Sequence, residues 1–228
     1  MLYESLEDII HILVGGETGG GKSTWMRQML TDVCLTYGPE QIRLHLVDPK
    51  GVEFQIFEHL PHTEAVVEDV ADVEMMVEDL LAEMERRRHL LAAAGVTKLS
   101  EYPHPLPRHL FVMDEYADYA EAISKQLIML ARKARYVGIH LIVATQRPDR
   151  KVIDGQIKAN IPCSMCFRVK NHTNSEIILD RPGAELLTVT GRAIWQGPGG
   201  DEEEVQVPWL TLQRAARLLR KRWGKTKK

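Results

Sequence analysis

The sequence is short of cysteine, of long apolar runs and of excess positive charge, and each shortage removes a class of protein. Three cysteines in 228 residues make no disulfide framework. Cys163 and Cys166 do form a C-x-x-C pair, but their setting, Cys163-Ser-Met-Cys-Phe-Arg-Val169, is apolar and strand-like, so residues three apart point to opposite faces. There is no second C-x-x-C and no histidine pair at metal-binding spacing, so a buried structural role is expected for both. No stretch approaches the roughly 18 uninterrupted apolar residues of a membrane span, and Met1 is not followed by a basic and then apolar leader. The chain therefore reads as soluble and cytoplasmic, with no membrane segment of its own. Its first strong motif begins about fifteen residues in, which leaves open that it is a fragment. With 44% hydrophobic residues it is neither disordered nor low in complexity.

A net charge of −3 excludes a surface that binds nucleic acid all over. The sum hides an asymmetry. Residues Arg214 to Lys228 hold eight basic and no acidic side chains, leaving −11 on the rest of the chain. Residues Glu64 to Glu85 hold nine carboxylates and no Lys or Arg. An anionic polymer must be met by local patches.

Short apolar runs alternate with segments of helical period, the pattern of a mostly parallel sheet with helices on both faces. Strands are expected at His11–Val14, Arg43–Val47, Leu110–Met113, His140–Ala144, Ser164–Val169, Arg192–Gln196 and Glu204–Trp209. The first four are almost continuously apolar, as strands buried on both faces are; the later, mixed ones are expected towards an edge, antiparallel. From Ala65 to Leu91, Val66, Val70, Val73, Val77, Leu80/Leu81 and Met84 recur at steps of three and four, which predicts an amphipathic helix with its carboxylates in solvent. Gly95 ends it, and Pro103, Pro105 and Pro107 make the next segment an extended loop. No repeat or linker divides the chain. Residues 1–210 read as one domain and residues 211–228 as a basic C-terminal helix or tail, whose Leu210, Leu212, Leu218 and Leu219 pack it back on the domain.

Gly16-Glu-Thr-Gly-Gly-Gly-Lys22-Ser23 matches G-x-x-x-x-G-K-[ST], between the expected strand His11–Val14 and a helical stretch over Thr24–Leu35. Glycines 16, 19, 20 and 21 let successive N–H groups turn inward around an anion at a helix N-terminus. The nucleotide-binding residues are thus Gly16, Glu17, Thr18, Gly19, Gly20, Gly21, Lys22, Ser23 and Thr24. Lys22 is the cation for the β- and γ-phosphates, and the Ser23 hydroxyl is a Mg²⁺ ligand. Hydrolysis also needs a carboxylate to order the metal and a group to orient water. Two apolar strands end in Asp, at Asp48 and Asp114, and only Asp114 is followed by an acid, Glu115. Asp114 is therefore assigned to Mg²⁺ and Glu115 to the attacking water, while Asp48, before Pro49, suits a turn. Gln146, at the tip of a strand beside the phosphate loop, is placed to sense the γ-phosphate.

Several motifs follow in a fixed order: Val47-Asp-Pro-Lys-Gly51, Met84-Glu-Arg-Arg87, Val112-Met-Asp-Glu115, Gly138-Ile-His-Leu141, Ala144-Thr-Gln-Arg-Pro148, Ile157-Lys-Ala-Asn-Ile-Pro162, Ile178-Leu-Asp180 and Gly183-Ala-Glu185. From about His11 to Pro208 the chain resembles the motor domain of the FtsK/SpoIIIE family of double-stranded DNA translocases. The resemblance implies a RecA-like α/β P-loop NTPase that binds ATP and Mg²⁺, forms a homo-oligomeric, hexameric ring and moves duplex DNA through the pore by hydrolysis. It places DNA contacts in the region after Thr-Gln-Arg-Pro, here Arg147, Arg150, Lys151 and Lys158, which would hold the backbone without reading bases.

Two departures qualify this. Where the family often carries an arginine that acts across the subunit boundary, Asn174-Ser-Glu-Ile-Ile-Leu-Asp180 places Glu176, so that Arg168, Lys170, Arg181 or Arg192 takes over or hydrolysis is slow. The family's membrane, linker and DNA-reading regions are absent from this sequence, and the loop from Gly95 to Arg108 is short. The resemblance implies service in plasmid or conjugative transfer, or in chromosome segregation. Two rival readings keep the nucleotide site: a secretion ATPase acting on proteins, and a weakly hydrolysing assembly module.

Overall fold

The computed structural model describes residues 11–224; the first ten residues and the last four, including Lys225, Lys227 and Lys228 of the basic tail, lie outside them. Among the described residues eight strands form one sheet: β1 (His11–Gly15), β2 (Ile42–Val47), β3 (Thr63–Val67), β4 (Arg108–Met113), β5 (Ile139–Thr145), β6 (Cys163–Phe167), β7 (Arg192–Gln196) and β8 (Glu202–Gln206). Their spatial order is β3-β2-β4-β5-β1-β6-β7-β8. All neighbours from β3 to β6 are parallel, and β7 and β8 close that side antiparallel.

The six α-helices among the described residues are α1 (Lys22–Thr36), α2 (Val70–Ala93), α3 (Ala120–Lys133), α4 (Gly155–Asn160), α5 (His172–Leu179) and α6 (Leu212–Trp223). The strands' two-residue period divides the core between the faces of the sheet. Leu13, Phe111, Met113, Leu141 and Val143 pack with α2, α3, α4 and α5. Val14, Leu44, Leu110, Val112 and Phe167 pack with α1, α6 and the turn around Phe54–Leu60. Cys163 and Cys166 fall on opposite faces by the same period, both buried and unbridged. No helix among the described residues is long and apolar enough to cross a membrane.

Three expectations change. The amphipathic stretch from Ala65 is not all helix: residues 63–67 are the half-buried edge strand β3, paired in parallel with β2, and α2 starts at Val70. Two valines four apart, Val66 and Val70, satisfied the helical period across what is a strand end and a helix start. The second change is β6, expected near an edge, which is interior, fully buried and parallel to β1. The third is the last strand, which ends at Gln206 and leaves Trp209 71% exposed. It presents Glu202, Glu203 and Glu204 as an exposed outer edge.

The core stripe of α2 continues beyond Met84 into a charged residue. Arg87, buried, donates from Nε to Glu83 at 2.6 Å and from Nη1 to the carbonyl of Val137 at 2.9 Å. This ties α2 to the turn before β5. On the other face, α6 carries Ala215 and Leu219 into the core, and the Trp223 indole donates to the carbonyl of Cys34 on α1 at 2.7 Å. Its arginines face solvent.

Candidate nucleotide site

The site is assembled at the carboxyl ends of three adjacent strands. β5 lies between β1 and β4. The phosphate loop leaves β1, the acidic pair leaves β4, and Thr145-Gln146 at the tip of β5 stands between them.

Of the four loop glycines, Gly19 and Gly21 take the left-handed φ of +82° and +118°. Gly21 has a second constraint: a Cβ there would stand 2.6 Å from the Cα of Gly191. That neighbouring turn is bonded to the loop, Gly191 N donating to Gly20 O at 2.8 Å. α1 starts at Lys22 with no side-chain cap, so the N–H groups of its first turn, from Lys22, Ser23 and Thr24, have no helical acceptor and point out of the helix end. An uncapped helix start favours an anion; of the four glycines expected to turn their N–H groups inward, Gly16 and Gly20 instead donate to the carbonyls of Thr145 and Glu17 at 3.2 and 3.0 Å.

Lys22 and Asp114 are both buried and meet directly. Lys22 Nζ lies 2.8 Å from Asp114 Oδ1 and also donates to the Asp114 carbonyl. Glu115, also buried, points to β5: Oε1 accepts from Thr145 Oγ1 at 2.5 Å and from Ala117 N at 3.4 Å, and Oε2 accepts from Gln146 N at 2.9 Å. The Gln146 side chain returns to the cradle, its Oε1 accepting from Thr18 Oγ1 at 2.6 Å. With its oxygen engaged there, the amide nitrogen keeps two donors for an incoming oxyanion. Glu17, a carboxylate in an anion-binding loop, is neutralised by Arg168, whose Nε lies 2.5 Å from Oε1. A cleft of about 270 Å³ opens beside this loop, lined by Glu17, Gln146, Arg147, Lys170 and Asn174 among others.

Asp48 is buried too, but its carboxylate is consumed locally, accepting from the N–H groups of Lys50, Glu53 and Phe54 at 3.2, 2.7 and 3.0 Å. It organises the turn after β2, as expected of an Asp before Pro49. Arg147, Arg150 and Lys151 are exposed on the loop after β5. Lys158, on α4, is only 18% exposed and pairs with Asp180 at 2.7 Å. Glu176 is flanked by this basic group, 4.0 Å from Arg150 and accepting from Lys158 on its carbonyl at 3.3 Å. Among the substitute cations, Arg168 touches the phosphate loop, Arg181 and Arg192 are bound to Glu202 and Glu204 on β8, and Lys170 lines the cleft.

Sequence reasoning missed the Glu17–Arg168 pair and the hydroxyl of Thr145. The first joins residues 151 positions apart, and no local pattern marks it. The second lay inside a quoted motif, where a buried threonine at a strand end looks like any β-branched residue.

The profile of the FtsK/SpoIIIE family matches residues 2–120. The DNA translocase FtsK of Tropheryma whipplei is 34% identical over 236 residues, covering 94% of this chain and 32% of that protein. That of Pseudomonas syringae pv. tomato is 37% identical over 224 residues, covering 83% of this chain and 28% of the relative. The chain thus spans about a third of the length of these curated relatives. Among solved structures, the pCW3 conjugation coupling protein TcpA, in a monomer form with ATPγS, superposes with a TM-score of 0.85 at 31% identity, over 96% of this chain and 66% of that one. The type VII secretion ATPase EccC of Thermomonospora curvata superposes at 0.82 but 23% identity, over 95% of this chain and 28% of that one, a likeness of fold. A RecA-like sheet with its phosphate loop, acidic pair and strand-tip amide at three neighbouring strand ends agrees with a profile covering over half of the sequence: the chain belongs to the FtsK/SpoIIIE family.

Proposed function

We propose that this chain is an ATP-hydrolysing motor that moves double-stranded DNA, working in the cytoplasm as a homo-oligomeric, hexameric ring. The observation that carries the reading is the meeting of Lys22 with Asp114 at 2.8 Å while Glu115 is bonded to the tip of the intervening strand. Phosphate cradle, metal-ordering acid, candidate base and γ-phosphate sensor thereby share one end of the sheet.

The chemistry follows from these positions. A triphosphate entering the loop is held by the N–H groups of Lys22, Ser23 and Thr24 at the start of α1, and Lys22 turns from Asp114 to the β- and γ-phosphates. A hydroxyl and a carboxylate, Ser23 and Asp114, suit a hard divalent cation. Among the described residues no cluster of three or more His, Cys, Asp or Glu could hold a metal alone, which fits an ion that takes most of its ligands from phosphate and water. Mg²⁺, when bound, offsets the charge of the phosphates. Glu115 accepts a proton from the attacking water, and Gln146 donates to the γ-phosphate oxygens.

DNA as the cargo is supported by the exposed Arg147, Arg150 and Lys151 next to Gln146, and by relatives named as DNA translocases at 34–37% identity. Secretion ATPases share the fold at lower identity. A ring would set these cations around a pore, which reconciles DNA binding with an acidic chain.

The test is ATP turnover with and without duplex DNA. Glu115→Gln should lower turnover by about 10²- to 10⁴-fold while ATP still binds. Duplex DNA should stimulate the native protein, with affinity falling by a slope of about −0.9 in log–log per phosphate neutralised. Stimulation by a secreted polypeptide and none by DNA at low salt would refute the cargo. Unchanged function in Glu115→Gln would refute the motor.

A further inference from the structure

The hydroxyl of Thr145 joins two parts of the molecule that the proposed activity needs to act together. Thr145 ends β5 and is completely buried. Its Oγ1 donates to Glu115 Oε1 at 2.5 Å and accepts from the backbone N–H of Arg147 at 3.0 Å. A hydroxyl has one proton to give, and here it goes to the candidate base. One of its acceptor positions is given to the first residue of the exposed basic loop. That loop is held elsewhere by Asn174 Nδ2 to the Pro148 carbonyl at 2.7 Å, by its own Asp149 and by Arg150, 4.0 Å from Glu176.

Both oxygens of Glu115 are engaged in this arrangement, Oε1 by Thr145 and Ala117 and Oε2 by the Gln146 N–H. Two of these three donors, the Thr145 hydroxyl and the Gln146 N–H, belong to the tip of β5. The short bond from Thr145 and the bond from the Gln146 N–H hold the carboxylate turned towards the tip of β5, so the arrangement sets the direction in which its remaining acceptor position points. The amide of Arg147 fixes the hydroxyl's direction, and a shift of the loop removes that fixation.

We infer that Thr145 is a positioning residue that couples the basic loop to Glu115, restraining the carboxylate until the loop engages an anionic polymer and turns the hydroxyl away. The inference rests on the motor reading above and adds the regulation of that site. It differs from a purely structural role in one respect: loss of the hydroxyl frees the base without passing through the loop.

Two variants and one exchange measurement test it. In Thr145→Val, turnover without DNA should rise roughly tenfold, about the worth of 1.4 kcal/mol, and the further stimulation by duplex DNA should shrink by the same factor. Thr145→Ser, which keeps the hydroxyl, should behave as the native chain. Equal losses of basal and DNA-stimulated turnover in Thr145→Val, an unchanged stimulation ratio, or a serine variant that behaves like valine would each overturn the inference. Amide hydrogen exchange over residues 145–151 is measured in parallel, with a non-hydrolysable ATP analogue present and with and without duplex DNA. DNA should speed exchange at Arg147 in the native chain and in the serine variant, and should not in the valine variant, where that N–H has already lost its acceptor. This arm separates the two failures. A native chain that does not hydrolyse ATP, or whose turnover ignores DNA, refutes the motor; native exchange at Arg147 that DNA does not speed refutes the coupling, whatever the fate of the valine variant's fold.

Discussion

Substituting the phosphate-loop lysine is the usual way to silence a site of this kind, and here it should also weaken the fold. Lys22 and Asp114 are 3% and 1% exposed, with 2.8 Å between charges. Lys22→Met keeps most of the side-chain volume and removes the cation, leaving Asp114 buried without its partner. Breaking a buried ion pair from one side costs about 3–5 kcal/mol, a large share of the ~5–15 kcal/mol that holds a domain together. With a urea slope of roughly 2–3 kcal/mol/M for a domain of this size, the unfolding midpoint should fall by about 1–2.5 M. Removing both charges in Lys22→Met/Asp114→Leu should recover most of the loss, because a well-packed apolar pair can equal a buried ion pair. Equilibrium urea unfolding of the native chain, both single variants and the double variant without nucleotide gives the answer. A midpoint for Lys22→Met within ~0.3 M of native would refute the reasoning. It would mean that Asp114 finds water or another donor as soon as the lysine is gone. A double variant as unstable as the single one would show that packing, not charge, was lost.

Two further outcomes are expected. Burial holds His11 at about 3, aided by His140; it holds His45 at about 4 and His109 at about 3, in both cases with Arg87 nearby. Below about pH 6.5 the unfolded chain binds protons that these folded imidazoles refuse, so stability is intact above that pH and falls by roughly 1.4 kcal/mol per pH unit per histidine down to about pH 4; denaturant midpoints equal at pH 7 and pH 5 would contradict this. Gly19→Ala meets open space and carries only the left-handed backbone cost of roughly 1–2 kcal/mol, whereas Gly21→Ala also drives a methyl against the backbone of Gly191. Thermal melts and ATP-analogue titration should therefore show a mild defect at position 19 and a severe one at 21, and the reverse order would discredit the cradle as described.

The site was more legible than the sheet that carries it. A phosphate loop needs particular residues at fixed spacing, and Asp114-Glu115 is marked by the apolar run that precedes it, so both could be read locally. Gln146 was readable because it follows an almost continuously apolar strand. The edge strand β3 was not, because an exposed strand next to an acidic helix lacks a clean two-residue period, and Val66 and Val70 imitated a helix. β6 looked like an edge strand from its Ser164 and mixed flanks, yet its neighbours β1 and β7 come from distant parts of the chain. Arg87 in Met84-Glu-Arg-Arg87 carries no local sign of burial, which the Val137 carbonyl makes possible together with Glu83. In each case the missing information was long-range pairing, which no local window contains.

The acidic margin formed by Glu202, Glu203 and Glu204 limits how copies of this chain can meet. A strand laid alongside β8 would come within roughly 5 Å of it, and an identical one would bring carboxylates against carboxylates there. Arg181 and Arg192 compensate two of the three from within the same molecule and have no charge left over for a newcomer. Growth of the sheet from one molecule into the next is thus disfavoured on this flank. On this flank a contact with another copy would fall to helices and loops, whose packing can shift in a way that a continuous hydrogen-bonded ladder cannot.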